Sequence, residues 1–253
     1  MPTAMSGHSK WSTIKRKKGA TDAARGKIFT KVAREIMVAA KEGGGDPGGN
    51  PRLRRALDAA NAANMPKDNQ ERAIKKGLGE LEGVSYEELI YEARGPSGAA
   101  FILEVLTDNR NRTAPELRHV LGKNGGELGA EGSSTWMFDR KGTILIAKDK
   151  IAENALIERS LEAGADDVQD EGEVWVVTCE PSSFADLEQA LAGLEPESAE
   201  VDWVVKPQSA LSLEGEAAQA VAALWAKLDD IDDVQKVTCS ASLPDEVMED
   251  HGL

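Results

Sequence analysis

The sequence predicts an α+β fold in which a small N-terminal helical domain precedes two ferredoxin-like α+β domains, one inserted in the other. Three observations carry that prediction. Residues 22–77 place apolar side chains at helical spacing and break only at glycine or proline. From Tyr86 the pattern changes to short apolar runs alternating with helical stretches. Between Thr143 and Val205 those runs read strand, helix, strand, strand, helix, strand, the complete order of a ferredoxin-like unit.

In chain order, Thr21 and Asp22 can cap a helix that runs to about Glu42, where Gly43-Gly44-Gly45 stops it. At about 100° per residue, Ile28, Phe29, Val32, Ile36 and Ala40 share one side. Lys27, Lys31, Arg34 and Lys41 share the other. Asn50-Pro51 supplies a cap and a first-turn proline for a second helix bearing Arg52, Arg54 and Arg55, which Met65-Pro66 breaks. A third helix from Lys67 carries Arg72, Lys75 and Lys76 and ends at Gly77. The apolar residues of these helices are small, which predicts a thin core.

Leu89–Ala93 and Ala99–Leu106 read as two strands joined at Gly95-Pro96-Ser97-Gly98, followed by a helix over Thr113–Lys123. Gly125–Thr135 reads as an irregular connection. The ferredoxin-like unit takes Thr143–Ala147, Asp167–Gln169, Glu173–Cys179 and Val201–Val205 as strands, with helices over Lys150–Ala163 and Ser183–Leu191. A strand over Lys206–Leu213, a helix over Glu214–Leu228 and a strand over Val234–Cys239 then complete the domain begun at Tyr86. The expected domains are therefore 1–80, a discontinuous one of 81–138 and 207–253, and the insert 139–206.

Composition removes several classes of function. No run approaches the ~18 apolar residues of a spanning helix, and residues 1–11 have no apolar core of a secretory signal. A cytoplasmic protein without a membrane partner is expected. Cys179 and Cys239 each follow Val-Thr at the end of an apolar run and read as small buried side chains, not as a bridge or zinc ligands.

The net charge of −14 is unevenly spread. Residues 1–80 hold 17 Lys and Arg against 8 Asp and Glu, whereas the remainder holds 13 against 36. A compact basic segment is the footprint of contact with phosphate backbones. The alternative is a charged face that only keeps the chain in solution.

Little points to catalysis. The three histidines, His8, His119 and His251, do not assemble with a nucleophile and an orienting group. Gly19–Lys27 fails as a phosphate-binding loop because its glycine spacing is wrong and Ile28 stands where a hydroxyl must bind magnesium. No cofactor, metal or small-molecule substrate is expected. Asp108-Asn109-Arg110-Asn111-Arg112-Thr113 lies between a strand and a helix, where Arg110 and Arg112 could hold a phosphate. Equally, Asn111 or Thr113 could cap the helix while Asp108 pairs with an arginine. In Ser133–Phe138, Trp136 and Phe138 read as core.

Gly7-His8-Ser9-Lys10-Trp11, Arg25–Lys31, Glu42–Pro47, Asn64–Asn69, Glu71–Gly77, Leu106–Thr113, Lys123–Gly126 and Trp136-Met137-Phe138 together resemble the YebC family closely and in order. Against that pattern Met1–Ala4 is an extension, Met5 is a candidate start, and the turn Ala93–Gly98 is poorer in glycine. The resemblance implies three domains, one helical and two α+β with one inserted in the other. It also implies a regulator of gene expression. Bacterial members carry the label of probable transcriptional regulators that bind DNA, while others resemble translation factors acting at the ribosome on proline-rich stalls.

Two functions follow. One is a non-enzymatic translation factor that docks on ribosomal RNA through Lys10, Lys15, Arg16, Lys17, Lys18, Lys27, Lys31, Arg52, Arg54, Arg55, Lys75 and Lys76, with Arg110 and Arg112 as further phosphate contacts and Trp11 stacked on an unpaired base. The other is a DNA-binding transcriptional regulator using the same face, for which neither the second nor the third helix offers a cluster suited to base edges. An enzyme acting at Arg110 and Arg112 lacks a candidate base.

Overall fold

The structure, a computed structural model, describes residues 22–253. Helices α1 (Asp22–Gly43), α2 (Pro51–Ala62) and α3 (Lys67–Gly77) form its first layer. Asn50 ties two of them together: its side chain accepts from the Leu53 amide at 3.0 Å, which caps α2, and donates to Ala39 O at 2.7 Å and Gly44 O at 2.9 Å at the end of α1. The core between the helices is Ile36, Ala39, Leu53, Ala56, Ala60, Met65 and Ala73. Four of those seven are alanine, so the helices pack closely, and buried Gln70 closes the α2–α3 turn by donating to Asn61 Oδ1 and Met65 O.

Two four-stranded antiparallel sheets follow. In the first, strands β1 (Glu87–Arg94), β2 (Ala100–Thr107), β3 (Glu127–Leu128) and β9 (Val234–Cys239) run in the order β3-β1-β2-β9. Glu87 faces Thr107 and Arg94 faces Ala100 across the first pair. Strand β2 is central and buried along nearly its whole length, as its unbroken apolar run requires. Helices α4 (Arg110–Lys123) and α7 (Gly215–Asp229) cover this sheet with Leu117, Leu121, Val221, Leu224 and Leu228, and Phe101 meets Trp225 edge to face at 6.4 Å.

The second sheet contains β4 (Phe138–Ala147), β5 (Ala165–Glu171), β6 (Val174–Cys179) and β7 (Ser198–Val205) in the order β5-β6-β4-β7, the ferredoxin-like order for this sequence of elements. Helices α5 (Glu153–Glu162) and α6 (Phe184–Leu191) bury Leu156, Phe184, Leu187 and Leu191 against Ile144, Ile146 and Val177. A short parallel pair, β8 (Leu211–Ser212) with β10 (Ala241–Ser242), and helix α8 (Asp245–Asp250) complete the described chain.

The fold class is the α+β arrangement expected, but several elements differ. The strand expected over Lys206–Leu213 shrinks to β8, because Pro207 opens a 3-10 turn over Pro207–Ser209 and has no N–H to give a ladder. Helix α4 begins at Arg110 rather than Thr113, since Asn109, not Asn111 or Thr113, caps it. The connection after Gly125 contains β3, and α8 carries too few apolar residues to announce itself. Phe138 is buried as expected, yet Trp136 is 61% exposed, its indole N–H donating to Ser133 O at 3.1 Å.

Candidate nucleic-acid interface

Lys27, Lys31 and Arg34 stand at i, i+4 and i+7 on α1, so they form a ridge along one face. The charges of that ridge are not free. It faces the acidic turn Asp229–Asp233 between α7 and β9. Lys27 pairs with Asp230, and Lys31 Nζ donates to Asp229 O at 2.7 Å and Asp229 Oδ1 at 3.0 Å. Arg34 donates to Asp232 O and lies 3.2 Å from Asp233 Oδ1. The guanidinium also stands 5.5 Å from the centre of the Tyr86 ring.

Asp233 is the inner anchor of this contact. Its Oδ2 accepts from Arg112 Nη2 at 2.8 Å, Thr113 Oγ1 at 2.6 Å and Thr107 Oγ1 at 3.1 Å, and its carbonyl accepts from Leu106 N at 2.9 Å. Burial pushes the carboxyl upward, but the hydrogen bonds from Arg112, Thr113 and Thr107 and the charge of Arg34 outweigh it and hold Asp233 below the usual aspartate range.

The same contacts define the strand-to-helix turn before α4. Arg112 also donates to Asp108 Oδ1 at 2.7 Å, and both carboxylates raise its pKa, Asp233 first. The turn therefore adopts the capped and paired arrangement, with Asn109 Oδ1 accepting from the Asn111 and Arg112 amides. Arg110 remains exposed at a shallow cleft that it lines with Tyr91, Asn111, Ala114, Pro115 and Arg118.

The α2 cations divide. Arg52 is held by Glu35, Glu42 and Glu88. Burial opposes its charge, and the bonds and charges of Glu35 and then Glu88 overcome that and raise its pKa. Arg55 lies 3.4 Å from Glu188 and 5.7 Å above the Phe184 ring, both on α6. Arg54, Lys75 and Lys76 are exposed and make no ion pair among the described residues. Lys67 and Arg72 on α3 are equally exposed; the sequence does not single them out for binding, because helical spacing alone does not tell a free cation from a paired one. Lys10, Trp11, Lys15, Arg16, Lys17 and Lys18 lie outside the described residues.

Chemically, these cations can bind a polyanion. Among the described residues no group of three or more His, Cys, Asp or Glu is arranged to hold a metal ion, and no helix is long and apolar enough to cross a membrane. Cys179 and Cys239 are free, buried thiols, and burial pushes Cys239 up to about 12. His119 sits exposed on α4.

Family models described as the TACO1/YebC protein N-terminal domain and the TACO1/YebC second and third domain match residues 9–80 and 86–241. The chain is 54% identical over 245 residues to a probable transcriptional regulatory protein of Desulforapulum autotrophicum, covering 96% of this chain and 98% of the relative. It is 56% identical over 247 residues to one of Geobacter sulfurreducens, covering 97% and 99%. The crystal structure of a conserved hypothetical protein from Aquifex aeolicus superposes with a TM-score of 0.78 at 44% identity, covering 89% of this chain and 93% of that one.

Proposed function

Because the chain belongs to the TACO1/YebC family, we propose that it is a non-enzymatic regulator of gene expression that binds nucleic acid through its N-terminal helical layer and acts in translation, on ribosomal RNA, to relieve proline-rich stalls. The observation that supports binding is the set of exposed cations on α2 and α3, Arg54, Lys67, Arg72, Lys75 and Lys76, which make no ion pair among the described residues in an otherwise acidic chain. Such cations bind phosphate without first breaking an internal pair. Translation is preferred over transcription because several side chains on α2 and α3 that could read base edges are engaged within the protein: Gln70 is buried and donates to Asn61 Oδ1, and Arg52 and Arg55 are held by carboxylates.

The names of the curated relatives favour a second reading, a DNA-binding transcriptional regulator using the same cations. Sedimentation of lysate through a sucrose gradient at near-physiological salt separates the two. Co-migration with ribosomes that survives a duplex-DNA competitor and is lost on nuclease treatment is the expected result. Absence from ribosomes together with sequence-selective DNA retention would overturn it in favour of the second reading.

A further inference from the structure

Helix α1 carries three cations whose charges are engaged by the turn Asp229–Asp233 and not by a free polyanion. We infer that the Lys27–Lys31–Arg34 ridge is a second phosphate-binding surface, kept closed in the free protein by an acidic turn that occupies it in place of a nucleic-acid backbone. The inference rests on the nucleic-acid reading above and adds a site and its regulation.

Four features support it. First, the fit is that of a polyanion on a helix: three cations spaced about 4.5–6 Å apart along the axis each meet an anionic or carbonyl oxygen of one short segment. Second, the contact is polar. The apolar cluster of the helical layer draws only on residues between Phe29 and Ile74, and that of the first sheet starts at Leu89, so neither bridges the two. The outer contacts of Lys27 and Lys31, to half-exposed carboxylates, yield to salt and to a stronger polyanion in a way that buried apolar area does not.

Third, exposure is graded. Lys27 and Asp230 are 48% and 66% exposed at the outer end, whereas Arg34 and Asp233 are 12% and 3% exposed at the inner end. A nucleic-acid strand can therefore displace the turn one contact at a time, starting at Lys27. Fourth, release leaves no orphaned carboxylate. Asp233 keeps Arg112, Thr113 and Thr107 when Arg34 departs. Arg34 gains, since its Nε is buried here without a hydrogen-bond partner and a phosphate oxygen would supply one.

The test is a charge cycle on the full chain, read as affinity for a labelled 20-nucleotide single-stranded RNA across a salt series. Asp229→Asn with Asp230→Asn removes two exposed carboxylates and leaves the buried Asp233 cluster intact. The expected result is severalfold tighter binding and a log–log salt slope steeper by about 1.4, at about 0.7 for each newly available cation on a single strand. Adding Lys27→Ala with Lys31→Ala should abolish that gain. An equal gain in the Lys27→Ala/Lys31→Ala background would show only the loss of two negative charges and overturn the inference, as would a wild-type protein that binds RNA with an affinity and slope identical to the double asparagine variant. Absence of RNA binding by every variant would overturn both the inference and the nucleic-acid reading beneath it.

Discussion

Arg34 Nη1 and Asp233 Oδ1 meet at 3.2 Å from opposite ends of the chain, and the two side chains are 12% and 3% exposed. Because Asp233 also accepts from Arg112, Thr113 and Thr107, one carboxylate fixes α1, the start of α4 and the end of β2 against β9. Asp233→Ala strips three donors of their acceptor and leaves Arg34 without its carboxylate. Removing one partner of a buried pair costs about 3–5 kcal/mol, and the urea midpoint of the full chain should fall accordingly. Asp233→Asn, which keeps an acceptor oxygen, should cost less; equal losses would mean that the charge is irrelevant.

That carboxylate also sets a pH dependence. Its folded pKa lies below the unfolded value of about 3.9, so its stabilisation is complete above that value and is lost as pH falls through the lower folded pKa. Acid titration of stability should therefore decline below about pH 4 in the wild type and be flatter in Asp233→Asn. Identical acid profiles would remove Asp233 from the account.

Glu92 performs the same task inside the first sheet's loop. Though buried on β1, it accepts the backbone N–H groups of Gly132, Ser134 and Thr135, which outweigh the upward push of burial and lower its pKa. These bonds shape the segment that carries the exposed Trp136. Hydrogen bonds to a charged group contribute about 1.5–3 kcal/mol, so Glu92→Ala should destabilise by at least that much and change the Trp136 emission environment. An unchanged spectrum would mean the loop holds its shape without the anchor.

Arg54→Ala, Lys75→Ala and Lys76→Ala combined should weaken RNA binding and reduce the magnitude of the salt slope by about 2, at about 0.7 per lost contact. Lys15, Arg16, Lys17 and Lys18 replaced by alanine should act in the same direction. A slope unchanged by both sets would locate the binding face elsewhere on the chain.

How much of this was legible in the sequence depends on the range of the interaction. Asn50-Pro51, Gly43–Gly45 and the apolar run of β2 act locally, and they predict α2, the end of α1 and a central strand. The order of elements through Val205 likewise carries the ferredoxin-like sheet. Charge pairing is different. Nothing in the spacing of Lys27, Lys31 and Arg34 reveals that Asp229–Asp233 will sit on them, because that contact depends on tertiary placement. The basic face of α1 thus reads as free in the sequence and is ion-paired in the fold. Trp136 fails for a related reason: aromatic identity predicts burial on average, but this indole lies exposed with its N–H donating to Ser133 O.

Two glycines near helix ends make opposite predictions. A Cβ on Gly77 would stand 2.3 Å from the Met37 carbonyl oxygen and 2.9 Å from Ala40 Cβ, so the end of α3 lies directly on the backbone of α1. Backbone cannot swing aside as a flexible side chain can. Gly77→Ala should force the helices apart and cost about 1–3 kcal/mol. Gly122, near the end of α4, is exposed, and a Cβ there would meet nothing within 4 Å. At that position Gly122→Ala reduces only the freedom of the unfolded chain and should stabilise by about 0.4–1 kcal/mol. Urea unfolding of both variants decides the matter: if Gly77→Ala is neutral or stabilising, the close α1–α3 approach is not required for the helical layer to form.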